Sequence, residues 1–156
     1  MAKYLTVFFI SMVPIIELRG AMPIALSLGI PFPLALAICV VGNMLPVPFI
    51  YFFARKFLVW GSDKKIIGKF FTFCLEKGEK AGQKLVRTTG RGGLFIALML
   101  FVGIPIPGTG AWTGALGATF LNMGFKSTVA SVSLGVIIAG ILMALGTTGV
   151  FAIFGI

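Results

Sequence analysis

The sequence predicts an all-α integral membrane protein made of two inverted-topology repeats, each a re-entrant helical hairpin followed by a transmembrane helix, joined by a cytoplasmic amphipathic helical segment. Three observations lead there. The 156 residues are 58% hydrophobic and only 11% charged, against roughly 25% charged in soluble domains. Four apolar blocks follow one another, and two of them are broken in the middle by Pro, Gly and polar residues. Ten of the thirteen basic residues fall in one stretch, between Arg55 and Arg91.

So few charges cannot clothe a water-facing surface. A helix needs about 20 apolar residues to cross the hydrocarbon, so the chain has room for a handful of membrane elements in a single domain. Residues 1–60 form the expected first repeat, 61–90 the linker and 91–156 the second repeat.

The first block, 4–28, follows Lys3 with an apolar run, as a signal peptide would, but Glu17 and Arg19 come at once and no small-x-small cleavage site appears. It is therefore read as part of the membrane domain. Pro14, Glu17, Arg19, Gly20 and Pro23 fall near its middle, where a plain span would carry Leu, Ile and Val. Pro removes a backbone donor and Gly frees the chain to turn, so a hairpin is expected here and at the break in the third block, the alternative for each being a kinked helix that still spans.

The second block, 32–59, carries Gly42, Asn43, Pro46 and Pro48 yet stays apolar for more than a bilayer thickness, which predicts a kinked span. The segment 61–90 opens on a Ser62-Asp63 cap signal. It repeats Ile66, Phe70 and Cys74, and Ile67, Phe71 and Leu75, at four-residue spacing, with Lys64, Lys65, Lys69 and Lys77 elsewhere. That pattern is an interfacial helix, interrupted near Gly78.

In the third block, 92–121, the run from Gly103 to Gly110 holds two Pro and three Gly and breaks the block as the first is broken. The fourth, 127–156, has no Pro and places Ser127, Ser131, Gly135 and Ala139 in a small-residue stripe, suited either to packing within the chain or to a dimer face. Basic residues favour the cytoplasmic side. Residues 55–91 and Lys126 are thus expected inside and both termini outside, with the first hairpin dipping from outside and the second from inside.

With no His and only Glu17, Asp63, Glu76 and Glu79 as acids, neither a zinc site nor a His-based nucleophile can be assembled. The chain is expected not to be an enzyme and to need no cofactor. Cys39 and Cys74 lie in different environments and read as small hydrophobes, not a disulfide. The net charge of +9 is explained by anionic lipid headgroups beside the spans, without a nucleic-acid partner.

Broken helices persist at membrane depth only where they pack in protein or line a wet cavity, and paired breaks in two inverted halves point to a transport site near the midplane. Glu17 and Arg19 are the charges to place there. A charge at the bilayer centre costs roughly 2.5 to 3.5 kcal/mol on insertion scales, so the two should pair or face water. Arg19 suits a phosphate or carboxylate, and Glu17 is the candidate carrier of a coupling proton; a purely structural Glu17–Arg19 pair is the alternative. The second break offers Gly108, Thr109, Gly110, Trp112 and Thr113, which bring backbone N–H groups, hydroxyls and a helix dipole. Gly110 and Gly114 also match a GxxxG packing motif.

The motifs PIIELRGAMP at 14–23 and VGIPIPGTGAWTGA at 102–115 resemble the small multidrug export protein family, which is similar in organisation to the DedA/VTT membrane protein superfamily. The resemblance implies transport. The DedA pattern has an acidic residue in the first hairpin, matched by Glu17, and an Arg in the second, where this chain has Thr109.

The expected function is a cell-membrane transporter or flippase, proton-coupled, for an amphiphilic or anionic small molecule or a lipid-linked phosphate. Phe8, Phe9, Tyr51, Phe101 and Trp112 are available to line a drug-sized cavity. The alternatives are passive lipid scrambling and a non-transporting membrane scaffold. Two spans and two hairpins can hardly shield both breaks from lipid, so a homodimer is expected.

Overall fold

The computed structural model describes residues 1–62, 68–106 and 108–154, and among these no strand occurs. The elements are α1 (Ala2–Met12), α2 (Glu17–Ser27), α3 (Phe32–Met44), α4 (Pro46–Ser62), α5 (Gly68–Gly103), α6 (Ala111–Phe120) and α7 (Phe125–Phe154). Asp63, Ile66 and Ile67 of the amphipathic reading lie outside the described residues, as do the side chains of Phe70, Phe71, Cys74 and Leu75. The backbone is helical through the expected interruption at Gly78 and instead departs from helix at Gly90, with φ 72° and ψ 177°.

Both sequence breaks are real. Val13 is extended, as a residue before Pro must tend to be, and α1 ends there. At the second break α5 stops at Gly103 and α6 begins after Gly110. In the second block Leu45 stays in the right-handed helical region and Pro46 opens α4, where a missing N–H costs little. Two stretches, Phe32–Phe57 and Phe125–Val150, are long and apolar enough to cross a membrane, by length and composition.

The helix α1 packs on α2 and α3, α5 packs on α6 and α7, and α2 crosses to α7. Volumes are distributed the opposite way from a water-soluble protein. Ala21, Ala25, Ala35, Ala111, Ala115 and Ala118 are fully buried, while Phe9, Phe49, Phe52 and Phe53 stand more than half exposed. Small residues let helices approach where lipid, not water, is the solvent. Of the small-residue stripe, Ser131, Gly135 and Ala139 are buried inside the chain, so the stripe serves internal packing.

A constant offset along the chain relates two sets of contacts. At the end of α2, Leu28, Gly29 and Ile30 donate backbone N–H groups to Ile24, Leu26 and Ala25; at the end of α6, Leu121, Asn122 and Met123 donate to Gly117, Thr119 and Ala118. Gly29 and Asn122 both have positive φ, at 67° and 54°, the left-handed cap that Gly and Asn tolerate best. The same offset carries Gly42 to Gly135. A Cβ on Gly42 would strike Ser11 and the Phe8 carbonyl of α1, and one on Gly135 would meet the Met99 carbonyl and Val102 of α5.

Candidate functional site

The tip of the first hairpin is built from strained backbone. Ile15 and Glu17 have φ of 79° and 50°, a region costing a non-glycine residue on the order of 1 to 2 kcal/mol. Ile15 is 96% exposed, whereas Glu17 is 4% exposed. The turn thus throws an apolar side chain outward and brings a carboxylate in.

Glu17 reaches the second hairpin. Its Oε1 accepts the Trp112 backbone N–H at 3.2 Å, and the carboxylate lies so close to Gly110 that any Cβ there would overlap it. Gly110 precedes α6 and has no side chain with which to cap it. Glu17 therefore satisfies one of the four orphan donors at that helix start and sets a negative charge at the positive end of its dipole.

Arg19 serves the other half of the same break. Its Nη2 donates to Thr109 Oγ1 at 2.8 Å, to the Thr109 carbonyl at 2.9 Å, and to the carbonyls of Ile104 at 3.2 Å and Val102 at 3.3 Å. Val102 belongs to the last turn of α5 and Ile104 follows it directly, so the guanidinium sits where a helix leaves carbonyls unpaired and favours a cation. The Thr109 hydroxyl in turn lies 2.9 Å from the carbonyls of both Ile104 and Ile106. Arg19 Nη1 and Glu17 Oε2 are 3.7 Å apart, an ion pair whose side chains are 15% and 6% exposed. A straight helix would have kept these two residues on different faces; the left-handed Glu17 allows them to meet.

Of the residues expected at the site, Glu17, Arg19, Thr109, Gly110 and the Trp112 backbone come together. Gly108, with φ 87°, and Thr113 are exposed, and the Thr113 hydroxyl donates to the Gly110 carbonyl at 3.2 Å. The start of α6, where an anion was expected, is filled by Glu17 itself.

Sequence reasoning passed over Asn43, which it treated only as part of a kink. Asn43 is 2% exposed. Among the described residues its Oδ1 has no hydrogen-bond partner, and neither do Arg19 Nε and Trp112 Nε1. Asn43, Glu17, Arg19, Gly110 and Val136 line a cavity of about 10 Å³, room for roughly one water molecule. An amide in the middle of an apolar span is the signal that finds it, by the rule that singled out Glu17.

Phe8, Phe9, Tyr51, Phe101 and Trp112, available for a drug-sized cavity but mostly suited to lipid-facing or packing roles, do not line this one. Phe9 and Phe101 face outward, and Tyr51 donates its hydroxyl to the Met123 carbonyl at 2.6 Å.

A family model described as "Putative small multi-drug export protein" matches residues 17–142, which is most of the chain and includes Glu17, Arg19 and the second hairpin tip. No curated protein and no solved structure matches it.

Proposed function

Since the chain belongs to the small multi-drug export protein family, we propose that it is a multi-pass cell-membrane transporter for a small amphiphilic or anionic molecule, and that the junction of its two hairpin tips is gate and binding point. The observation that carries this is the reciprocal capping of one broken segment by both charges of the other. A lipid-linked phosphate falls within the same substrate class. Transport of this kind requires no cofactor and converts no bond.

Helix lengths support re-entrant hairpins. α1 and α2 have 11 residues each, α6 has 10 and the apolar part of α5, Gly90–Gly103, is little longer, about 15 to 21 Å at 1.5 Å per residue and so short of a roughly 30 Å hydrocarbon core. Lys3 at the start of α1 donates to the Leu28 carbonyl past the end of α2, at 3.3 Å, so the open end of that hairpin lies away from Glu17. Two half-depth hairpins meeting tip to tip must dip from opposite faces, which with the constant offset supports an inverted repeat of 1–60 and 91–156 about the linker 61–90. The offset pairs Glu17 with Gly110, two residues in direct contact.

A likeness to the DedA/VTT organisation fits the same geometry. The Arg that pattern places in the second hairpin is Thr109 here, and Arg19 brings a guanidinium to Thr109 from the first hairpin.

The arrangement is a closed gate. An incoming oxyanion competes with the Glu17 carboxylate for the Trp112 N–H and Arg19, and a proton arriving on Glu17 removes its charge and favours the exchange. Membrane lipids and a second copy of the chain complete the working unit. A second reading, a permanent internal staple, is favoured by the four acceptors already held by Arg19 Nη2 and by the cavity of only about 10 Å³. Proteoliposomes loaded with an anionic amphiphile such as anilinonaphthalene sulfonate separate the two. Gradient-dependent release that Glu17→Gln renders insensitive to pH supports the gate, and no release from the wild type rejects it.

A further inference from the structure

One cavity among the described residues plays no part in the hairpin junction. It has a volume of about 710 Å³ and opens between α5 and the turn joining α6 to α7. Arg87 and Arg91 line one wall, on either side of the non-helical Gly90. Asn122 and Ser127 line the other, and Leu94 and Leu121 contribute apolar surface. Among the described residues no acidic side chain lines it and neither arginine forms an ion pair.

Its depth is defined by the helices that form it. The apolar part of α5 begins at Gly90 and the apolar stretch of α7 at Phe125, so the cleft lies where both enter hydrocarbon, at the level of lipid phosphates. Two unneutralised guanidiniums there, above Leu94 and Leu121, match an oxyanion joined to an acyl chain. Arg is the side chain whose fork fits phosphate oxygens bidentately.

We propose that this cleft binds the phosphate headgroup of an anionic membrane lipid, held by Arg87 and Arg91 with its chain lying along Leu94 and Leu121. The site is separate from Glu17 and Arg19 and stands whether or not those residues carry transport. A bound headgroup there ties the linker to the start of the second hairpin and fixes the depth of both.

The test uses the full chain in nanodiscs of mixed phosphatidylglycerol and phosphatidylcholine, with retained lipid read by native mass spectrometry. The wild type is expected to retain phosphatidylglycerol preferentially, and Arg87→Gln with Arg91→Gln to lose that preference about tenfold. Lys77→Gln with Lys80→Gln removes the same charge outside the cleft and should change it less than about twofold. Equal losses from the two double variants would mean a diffuse basic surface and overturn the proposal, as would no preference in the wild type. Should the first double variant prove unstable to heating, Arg87→Lys with Arg91→Lys keeps both charges but loses the fork; a weakened preference at unchanged stability is expected, and an undiminished one would overturn recognition by the two guanidiniums. Millimolar inorganic phosphate distinguishes the two sources of oxyanion: if it displaces the lipid, the ligand is a soluble phosphate and the lipid assignment fails.

Discussion

The carboxylate of Glu17 holds the backbone N–H of Trp112 at 3.2 Å across a sequence separation of 95 residues. One hairpin thereby caps a helix of the other. Arg19 completes the junction on the carbonyls at the opposite side of the same break.

Removing one member of this pair should cost more than removing both charges. Arg19→Ala strands the Glu17 charge and three carbonyls, and losing one partner of a buried pair costs roughly 3 to 5 kcal/mol. Its yield of folded protein and its Tm in detergent are expected to fall well below those of Glu17→Gln with Arg19→Gln, which leaves no unpaired charge and retains an acceptor for the Trp112 N–H. If Glu17→Gln with Arg19→Gln keeps full transport in proteoliposomes, the pair is a staple and not a gate.

Gly110→Ala should be tolerated only without Glu17. The new methyl would occupy the carboxylate's place, and overpacking of this kind costs about 1 to 3 kcal/mol. A double-mutant cycle read by thermal unfolding is expected to show a smaller penalty in a Glu17→Ala background. Equal penalties in both backgrounds would place the two residues apart.

Gly42→Ala and Gly135→Ala should each destabilise, since both Cβ atoms would meet backbone carbonyls of the facing helix; the expected loss is again about 1 to 3 kcal/mol. Gly117→Ala and Gly146→Ala have open space at the same atom and, as helical positions, should be neutral or slightly stabilising, within about 1 kcal/mol. Relative Tm values of the four variants check the packing.

Orientation is open to labelling. With Cys39 and Cys74 replaced by Ala, a cysteine at Gly29 is expected to react with an impermeant maleimide from outside intact cells, and one at Lys80 only after permeabilisation. The reverse pattern would invert the topology.

Cross-linking in native membranes is expected to trap a homodimer, because outward-facing apolar side chains cover much of α4 and a lone copy has few helices around its two tips. A monomer fully active in nanodiscs would remove the need for the second copy.

The sequence revealed both breaks, both long apolar stretches and the two charges, because each departs from what an apolar segment otherwise contains. It did not reveal what Arg19 binds. The acceptors are backbone carbonyls of Val102, Ile104 and Thr109, a group that every residue owns, so no letter in the sequence marks them. Glu17 as the cap of α6 was hidden for a related reason: capping is ordinarily sought within a few residues of the helix start, and here the cap comes from the far end of the chain. The linker's Gly90 departs from helix where Gly78 was expected to, since α5 already tolerates glycine in its interior and only Gly90 adopts a positive φ.

That the cap of α6 is encoded near the N-terminus sets an order of assembly. While the chain is being made, Glu17 and Arg19 enter the membrane long before Val102, Thr109 and Trp112 exist. Until then the first hairpin carries a carboxylate and a guanidinium with only each other for company, and α6, once made, has no cap of its own. Neither half holds all of its polar partners alone: a chain stopped between residues 62 and 102 would lack the Thr109 and Trp112 groups that Arg19 and Glu17 meet in the complete structure.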